Sequence, residues 1–397
     1  MRLLIHDYGG YPFSVQLSRE LASRGYNVLY TYAGYNVTPR GELTKRLNDP
    51  ALFEICPIFI RHPLQKYNFA RRWLQEREYG QLLARRITQF QPDVVISADT
   101  PLDAQVQIQQ SARKSGAEFI FWLQDVIGLA AQHLLQAKKV LGAGLIGAYF
   151  VQLERILLRK SDHVVLITED FRPLMIEWGI DPNRMTVIPN WAPIDSLPVL
   201  KKDNAWAQKY GLDSVFCFMY TGTLGMKHNP EFLLQLASRY AGNTDVRIVV
   251  LSEGPGADWL QEKKVEYQLD NLLLLPYQPF EQIPQVMATA DVLVALLKLD
   301  AGIFSAPSKV LTYLCAQRPL LLAVPQDNLS ARIVSEANAG SVTPPQDFNR
   351  FLEVAEQLRQ DGGLREIMAS NARAYAEANF DIKKIADRFE EILLKVC

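Results

Sequence analysis

Residues 215–230 read Val-Phe-Cys-Phe-Met-Tyr-Thr-Gly-Thr-Leu-Gly-Met-Lys-His-Asn-Pro. An apolar run with no polar alternation ends in a glycine-bearing turn, and a helical pattern opens behind it. A continuous run of this kind suits a parallel strand buried on both faces. The same grammar recurs on either side. Toward the N-terminus the strand-like runs are Leu3–His6, Val28–Tyr32, Val94–Ser97, Phe119–Leu123, Val164–Thr168 and Thr186–Ile188. Helical patterns such as Pro12–Arg24 and Leu102–Ser115 lie between them. After Val215–Tyr220 the runs are Val246–Leu251, Leu272–Leu275, Val292–Leu296 and Leu320–Val324. Such alternation implies βαβ units and doubly wound parallel sheets.

A chain of 397 residues exceeds what one hydrophobic core organises, so two domains are expected. Pro193 and Pro198 flank Ile194–Leu197, and the polar stretch Lys201–Lys209 reads as an interdomain linker. The expected fold class is α/β: two Rossmann-like domains, 1–195 and 196–378, facing a cleft. A long helical stretch starts at Phe348, and the last helix, Ile382–Val396 within 379–397, is expected to cross back onto the first domain. Ligands of such sheets bind outside the carboxyl ends of the strands, at the switch points, so the turns there are the places to search.

Composition narrows the function classes. Hydrophobic residues make up 48% and charged residues 21%, as in ordinary globular proteins. Lys plus Arg number 42 against 43 Asp plus Glu, which lacks the basic footprint of a nucleic-acid binder. Cys56, Cys217, Cys315 and Cys397 lie far apart with no C-x-x-C spacing, so neither a disulfide framework nor a zinc site is expected. The first residues run into a strand rather than a signal peptide. The longest uncharged apolar stretch, Val140–Leu153, is short of the ~20 residues that span a bilayer. A soluble cytoplasmic chain is the expectation.

Five turns carry candidate chemistry. The first strand ends in Asp7-Tyr8-Gly9-Gly10-Tyr11-Pro12, where glycines let amides approach a phosphate at a helix start. It is not G-x-G-x-x-G, and no acid closes the second strand, which disfavours a dinucleotide dehydrogenase. Asp125, just past the strand Phe119–Leu123, is placed to accept a proton from an acceptor hydroxyl, or else to cap the next helix. Gly222, Thr223 and Lys227 form a second phosphate-suited turn, its lysine a seat for a leaving diphosphate or a solvated loop residue. Glu253-Gly254 ends the next strand, and its role is donor binding or chain reversal. Tyr277, after the third, lies under a nucleobase or simply packs.

The stretch Asp300-Ala301-Gly302-Ile303-Phe304-Ser305-Ala306-Pro307-Ser308-Lys309-Val310-Leu311-Thr312-Tyr313-Leu314 is the richest. Pro307-Ser308-Lys309 reads as a helix start with Ser308 or Ser305 as its cap. Lys309 in the first turn opposes the helix dipole, a poor choice for stability alone but suited to two phosphates.

At these residues the chain resembles the retaining glycosyltransferases of family 4 over essentially its full length, and most of all the bacterial exopolysaccharide (colanic-acid-type) members. The resembling elements are Gly9-Gly10, Gln124-Asp125, Ile188-Pro189-Asn190-Trp191 and the Gly222–Lys227 loop. Glu253-Gly254 and Pro307-Ser308-Lys309 with Gln317-Arg318-Pro319 complete the set. The resemblance implies a GT-B fold, an NDP-sugar held mainly by the second domain, retention, and no obligatory metal. It implies a saccharide or lipid-linked acceptor in polysaccharide biosynthesis. Lys227 falls on a residue that binds the donor diphosphate, and the other basic residue usual in that loop falls on Thr223. The family's spaced pair of glutamates falls on Phe304 and Thr312, neither a carboxylate. Asp300 stands near the first, and Thr312 keeps a hydroxyl for a ribose.

Two alternatives stay open. A UDP-sugar epimerase shares the architecture but is expected to hold more histidine than the five here. A non-catalytic sugar-nucleotide-binding subunit would fit the missing carboxylates. Finally, Gln132–Lys160 mixes apolar residues with Lys138, Lys139, Arg155, Arg159 and Lys160, and a basic cluster comprises Arg61, Lys66, Arg71, Arg72, Arg77, Arg85 and Arg86. Together they suit peripheral contact with anionic lipid or a lipid-diphosphate acceptor, or form a solvated helical face.

Overall fold

The computed structural model describes residues 1–35, 40–65, 68–137, 142–299 and 308–397. Lys66, Lys138, Lys139, Asp300, Phe304, Ser305 and Pro307 therefore lie outside the described residues. By contacts the chain divides into two compact units, Met1–Asn190 with Ile382–Cys397, and Trp191–Asp381.

The first unit is built on β1 (Arg2–Asp7), β2 (Asn27–Ala33), β3 (Phe53–Ile58), β4 (Val94–Ala98), β5 (Glu118–Leu123), β6 (His163–Leu166) and β7 (Met185–Val187). Their order is β3-β2-β1-β4-β5-β6-β7, and every pairing is parallel. Central strands are buried along their length, which is why they read as unbroken apolar runs. Order reverses between β1 and β4, where Leu3 pairs with both Val28 and Val94.

The helix Ile382–Val396 belongs to this unit. Its buried residues Ile385, Ala386, Phe389, Ile392 and Leu393 form one helical stripe. Phe389 meets Trp122 of β5 edge-on at 5.0 Å, and Trp122 meets Phe13 at 5.3 Å. Arg24 binds Asp387, Glu390 and the Lys383 carbonyl.

The second unit is built on β8 (Phe216–Thr221), β9 (Val246–Leu251), β10 (Leu272–Leu275), β11 (Val292–Leu296), β12 (Leu320–Ala323) and β13 (Gly340–Thr343). The order β10-β9-β8-β11-β12-β13, again all parallel, reverses between β8 and β11. Phe232 stacks on Phe348 at 4.3 Å and meets Phe351 edge-on at 4.9 Å, fixing two helices against one face.

Two strands escape a reading of apolar runs, and both are edges. In β3, Pro57 and the exposed Glu54 interrupt the run; an edge strand tolerates both because one side needs no partner. In β13, Gly340 packs so closely on β12 that a Cβ would lie 2.1 Å from the Leu320 carbonyl. The helical stretch from Phe348 is two helices, Phe348–Gln360 and Gly362–Asn379, separated at Asp361, whose carboxylate caps the second.

The stretch Lys201–Lys209 is no free connector. Lys202 pairs with Asp291, Asn204 caps the helix Ala205–Tyr210, and Trp206 is buried. Arg318 ties Leu200 to Ala288 and Ala290 through their carbonyls, so Gln317-Arg318-Pro319 acts as a staple within the second unit. The unit limits fall at Asn190/Trp191 and Asp381/Ile382, so 191–195 and 379–381, assigned elsewhere by the sequence reading, lie in the second unit.

Phe389→Ala should destabilise the first unit by about 3–5 kcal/mol, the usual cost of emptying a buried phenylalanine site. Urea denaturation of the two proteins measures it.

Candidate active site

In the second unit the carboxyl ends of β8 and β11 flank the switch point. The chain leaves β8 through Gly222, whose φ of +96° suits glycine. The turn is then fastened at each step. The Tyr220 hydroxyl donates to the Thr223 carbonyl at 2.8 Å. The Thr221 amide donates to the Tyr313 hydroxyl at 2.8 Å, and that hydroxyl lies 3.2 Å from the Thr221 carbonyl. The Gly225 amide donates to His228 Nδ1 at 3.0 Å. The Lys298 amide, just past β11, donates to the Lys227 carbonyl at 2.9 Å.

Lys309 opens the helix Lys309–Cys315 and reaches into this turn. Its Nζ lies 3.4 Å from the centroid of the Tyr220 ring, and a Cβ on Gly222 would stand 3.7 Å from it. The ammonium is buried and has no hydrogen-bond partner among the described residues. Burial pushes its pKa well below the ordinary lysine value, and the Lys227 charge pushes the same way. A cation–π contact with Tyr220 offsets part of the lost hydration. Lys227 is exposed on the turn beside it. His228 is buried, and burial, then Lys309 and Lys227, lower its pKa to about 3.

The other candidates lie on the turns after β8, β9 and β10 and on the helix that Lys309 opens. Thr223 Oγ1 and the Tyr277 hydroxyl are hydrogen-bonded at 2.9 Å, joining the turns after β8 and β10. Gly254, with φ +112°, begins the helix Pro255–Glu266, and Glu253 before it is exposed. Thr312 is half-buried one turn behind Lys309. Ser308 stands at the cap position of its helix but in helical conformation, and its side chain caps nothing. The capping role expected of it is therefore not filled by Ser308.

The first unit treats its turn differently. Asp7, fully buried, accepts the amides of Gly9 at 3.0 Å and Tyr11 at 2.8 Å, and the Ser14 hydroxyl. The Gly10 amide goes to the Asp7 carbonyl at 3.2 Å. Within this turn the Gly9 and Tyr11 amides thus go to the Asp7 carboxylate and the Gly10 amide to the Asp7 carbonyl. Burial raises Asp7 to about 6 in spite of these bonds. The Asp99 charge, ahead of burial, Asp7 and Asp125, pushes the Tyr11 hydroxyl well above its ordinary value. Asp99 itself has φ +46°, uncommon for a residue with a Cβ.

Asp125 is half-buried in this acidic neighbourhood. The helix Ile127–Ala137 starts its ladder at the Val126 carbonyl, and Glu154 takes the amides of Ile127 at 3.0 Å and Gly128 at 2.8 Å. The carboxylate on that helix start is therefore Glu154, from the helix Ala143–Lys160. Burial raises it to about 8, the Asp125 charge adding to the shift. Sequence reading missed Glu154, Asp7, Tyr220, Tyr313 and His228. For Tyr313 a signal existed, since it sits four residues after Lys309 on the same helix face.

Two Rossmann-like units, each reversing its strand order beside its first strand, define the GT-B class. The solved structure of HepE from Anabaena with UDP-glucose has the same fold, with a TM-score of 0.72 and 16% identity over 100% of both chains. Residues 9–191 match the glycosyl transferase 4-like domain and residues 203–375 match glycosyl transferases group 1. The chain belongs to this family of glycosyltransferases. It is 24% identical over 292 residues to WbjE of Pseudomonas aeruginosa, a probable glycosyltransferase, covering 71% of this chain and 72% of that one. It is 24% identical over 273 residues to WcaI of Escherichia coli, provisionally named a colanic acid biosynthesis glycosyl transferase, covering 67% and 66%.

If the Lys309 ammonium is kept for a ligand, removing it should help the unliganded fold. Lys309→Met should stabilise the ligand-free protein by about 1–3 kcal/mol, as apolar replacement of buried charge often does. Thermal melting without added nucleotide measures this; a lower melting temperature would assign Lys309 to the fold.

Proposed function

We propose that the chain is a retaining hexosyltransferase that moves a sugar from a nucleoside-diphosphate donor to an acceptor hydroxyl, without a metal or other cofactor. The observation that carries this reading is the buried ammonium of Lys309 over Tyr220, without a hydrogen-bond partner among the described residues, beside Lys227 at the switch point of the second unit. Two cations fixed in a turn suit a diphosphate, whose charge grows as the glycosidic bond breaks. Preorganised positive charge is worth most where charge develops. Thr223, Glu253, Gly254, Tyr277, Ser308 and Thr312 are the further donor-side residues of this reading, with Gly10 as a turn residue of the first unit. Asp125 is its candidate for steering the acceptor hydroxyl.

UDP is the first diphosphate to test, because the similar HepE structure holds UDP-glucose. A saccharide or lipid-linked saccharide of polysaccharide biosynthesis is the acceptor class, supported by the name of WcaI. Peripheral contact with the inner face of the membrane is part of the same reading. Among the described residues no helix is long and apolar enough to cross a membrane. Leu134, Leu145 and Tyr149 are exposed, as are Arg71, Arg77, Arg85 and Arg86 on the helix Phe69–Phe90. Arg155 and Arg159 instead turn to the Trp178 carbonyl, and Lys160 is exposed at that helix end.

Lys309→Ala should lower turnover of the donor by about 10²–10³-fold, the usual loss when one charge-stabilising group is removed. Near-normal turnover removes the core of the reading. Incubating the wild-type protein with a panel of NDP-sugars sorts the classes. Transfer or hydrolysis marks a transferase, an isomerised donor an epimerase, and binding alone a non-catalytic subunit. Asp125→Asn should slow transfer; an unchanged rate withdraws its role toward the acceptor.

Sedimentation with anionic vesicles at low salt should carry the protein down, and less of it as salt is raised. No pelleting at low salt counts against the membrane contact.

A further inference from the structure

We propose that His228 is a donor-binding residue: a neutral imidazole whose Nε2–H donates a hydrogen bond to a phosphoryl oxygen of the nucleoside diphosphate. This rests on the diphosphate reading of the Lys227–Lys309 turn. His228 ends the one-turn helix Met226–His228, and Asn229 behind it takes a left-handed conformation with φ 47°. The ring is nearly enclosed although it belongs to a turn. Its Nδ1 accepts the Gly225 amide at 3.0 Å. A ring nitrogen that accepts an amide proton carries none of its own, so the proton of the neutral ring sits on Nε2. That N–H has no hydrogen-bond partner among the described residues.

Charge selects the neutral form. Lys227 on its own turn and Lys309 from the helix Lys309–Cys315 both disfavour a third cation, and burial acts in the same direction. Two cations thus act on a ring whose Nε2–H has no hydrogen-bond partner among the described residues and so remains available to a ligand. An anionic oxygen in reach of Lys227 and Lys309 would answer all three groups together. The neutral ring has one further advantage. It adds a directed donor without adding a charge that must be desolvated, and the donor keeps its strength across neutral pH. A hydrogen bond to an oxygen whose charge is growing strengthens as the leaving group departs.

Two substitutions separate the two nitrogens. His228→Asn keeps an acceptor where Nδ1 meets the Gly225 amide but does not reach to the place of Nε2. His228→Gln reaches that place with an N–H donor and gives up the Nδ1 acceptor. Both are titrated with UDP by calorimetry beside the wild type and Lys309→Ala, and all four are melted without nucleotide. His228→Asn should bind UDP roughly ten- to a hundred-fold more weakly, the range of a hydrogen bond to a charged group, with an unchanged melting temperature. His228→Gln should keep the greater part of the affinity. Should His228→Asn bind as tightly as wild type while Lys309→Ala does not bind, the role of His228 is refuted and the diphosphate site stands. If the wild type binds none of UDP, GDP, ADP or dTDP, the diphosphate reading fails and takes this proposal with it. Should His228→Asn melt far below wild type, His228→Gln decides. Retained binding supports the donor role, and lost binding at a normal melting temperature places the ring in the turn's architecture.

Discussion

The second unit is organised around an ammonium group held against an aromatic face, with no hydrogen-bond partner for it among the described residues. Burying a lysine charge without a partner costs several kcal/mol, a sizeable share of the 5–15 kcal/mol by which a domain is stable. The fold meets that cost with a parallel sheet whose central strands are buried, so the turn after β8 has a rigid base. Tyr220 is the last fully buried side chain of β8, and its hydroxyl and its ring face perform separate tasks. The hydroxyl fixes the turn and the ring receives Lys309. Tyr313, one helical turn after Lys309, bonds the strand end that carries Tyr220, so cation and platform are tied to one another through both elements. Gly222 leaves the room that a side chain would fill.

How much of this was legible in the sequence follows from where each contribution arises. The central strands were legible because burial on both faces forces an unbroken apolar run. Edge strands β3 and β13 were not, since an edge admits Pro57, Glu54 and Gly340 and so loses that signature. The staple formed by Arg318 and the burial of Trp206 turned an apparently polar connector into part of a domain, which composition cannot reveal. Lys309 was legible because a cation in the first turn of a helix is locally unfavourable, and such a misfit is visible without coordinates. The part played by Tyr220 was not, because it depends on Lys309 being brought beside it from a helix, and an aromatic at a strand end otherwise reads as core. Tyr313 left only its place one turn after Lys309 as a signal. Glu154 shows the reverse case. A sequence-adjacent carboxylate, Asp125, suggested a local cap, while the amides of Ile127 and Gly128 went to a side chain from the following helix.

The two units share one grammar of strand, glycine turn and helix, yet their turns have opposite electrostatic character, and the difference begins at one position. The first strand of each sheet ends in Asp7 in the first unit and Thr221 in the second. Asp7 folds its carboxylate back under the turn and collects the nearby amides, so the turn is internally satisfied and carries an anion of its own. Asp99 and Asp125 lie near enough for their charges to raise the same Tyr11 hydroxyl. Thr221 has no charge to offer, and its amide and carbonyl go to a phenol instead. In place of that carboxylate the second turn gathers Lys227 and Lys309, and the Lys309 ammonium has no hydrogen-bond partner among the described residues. Acidic side chains thus gather at the turn of the first unit and basic ones at that of the second. The fold alone, which is the same in both, would not have distinguished them.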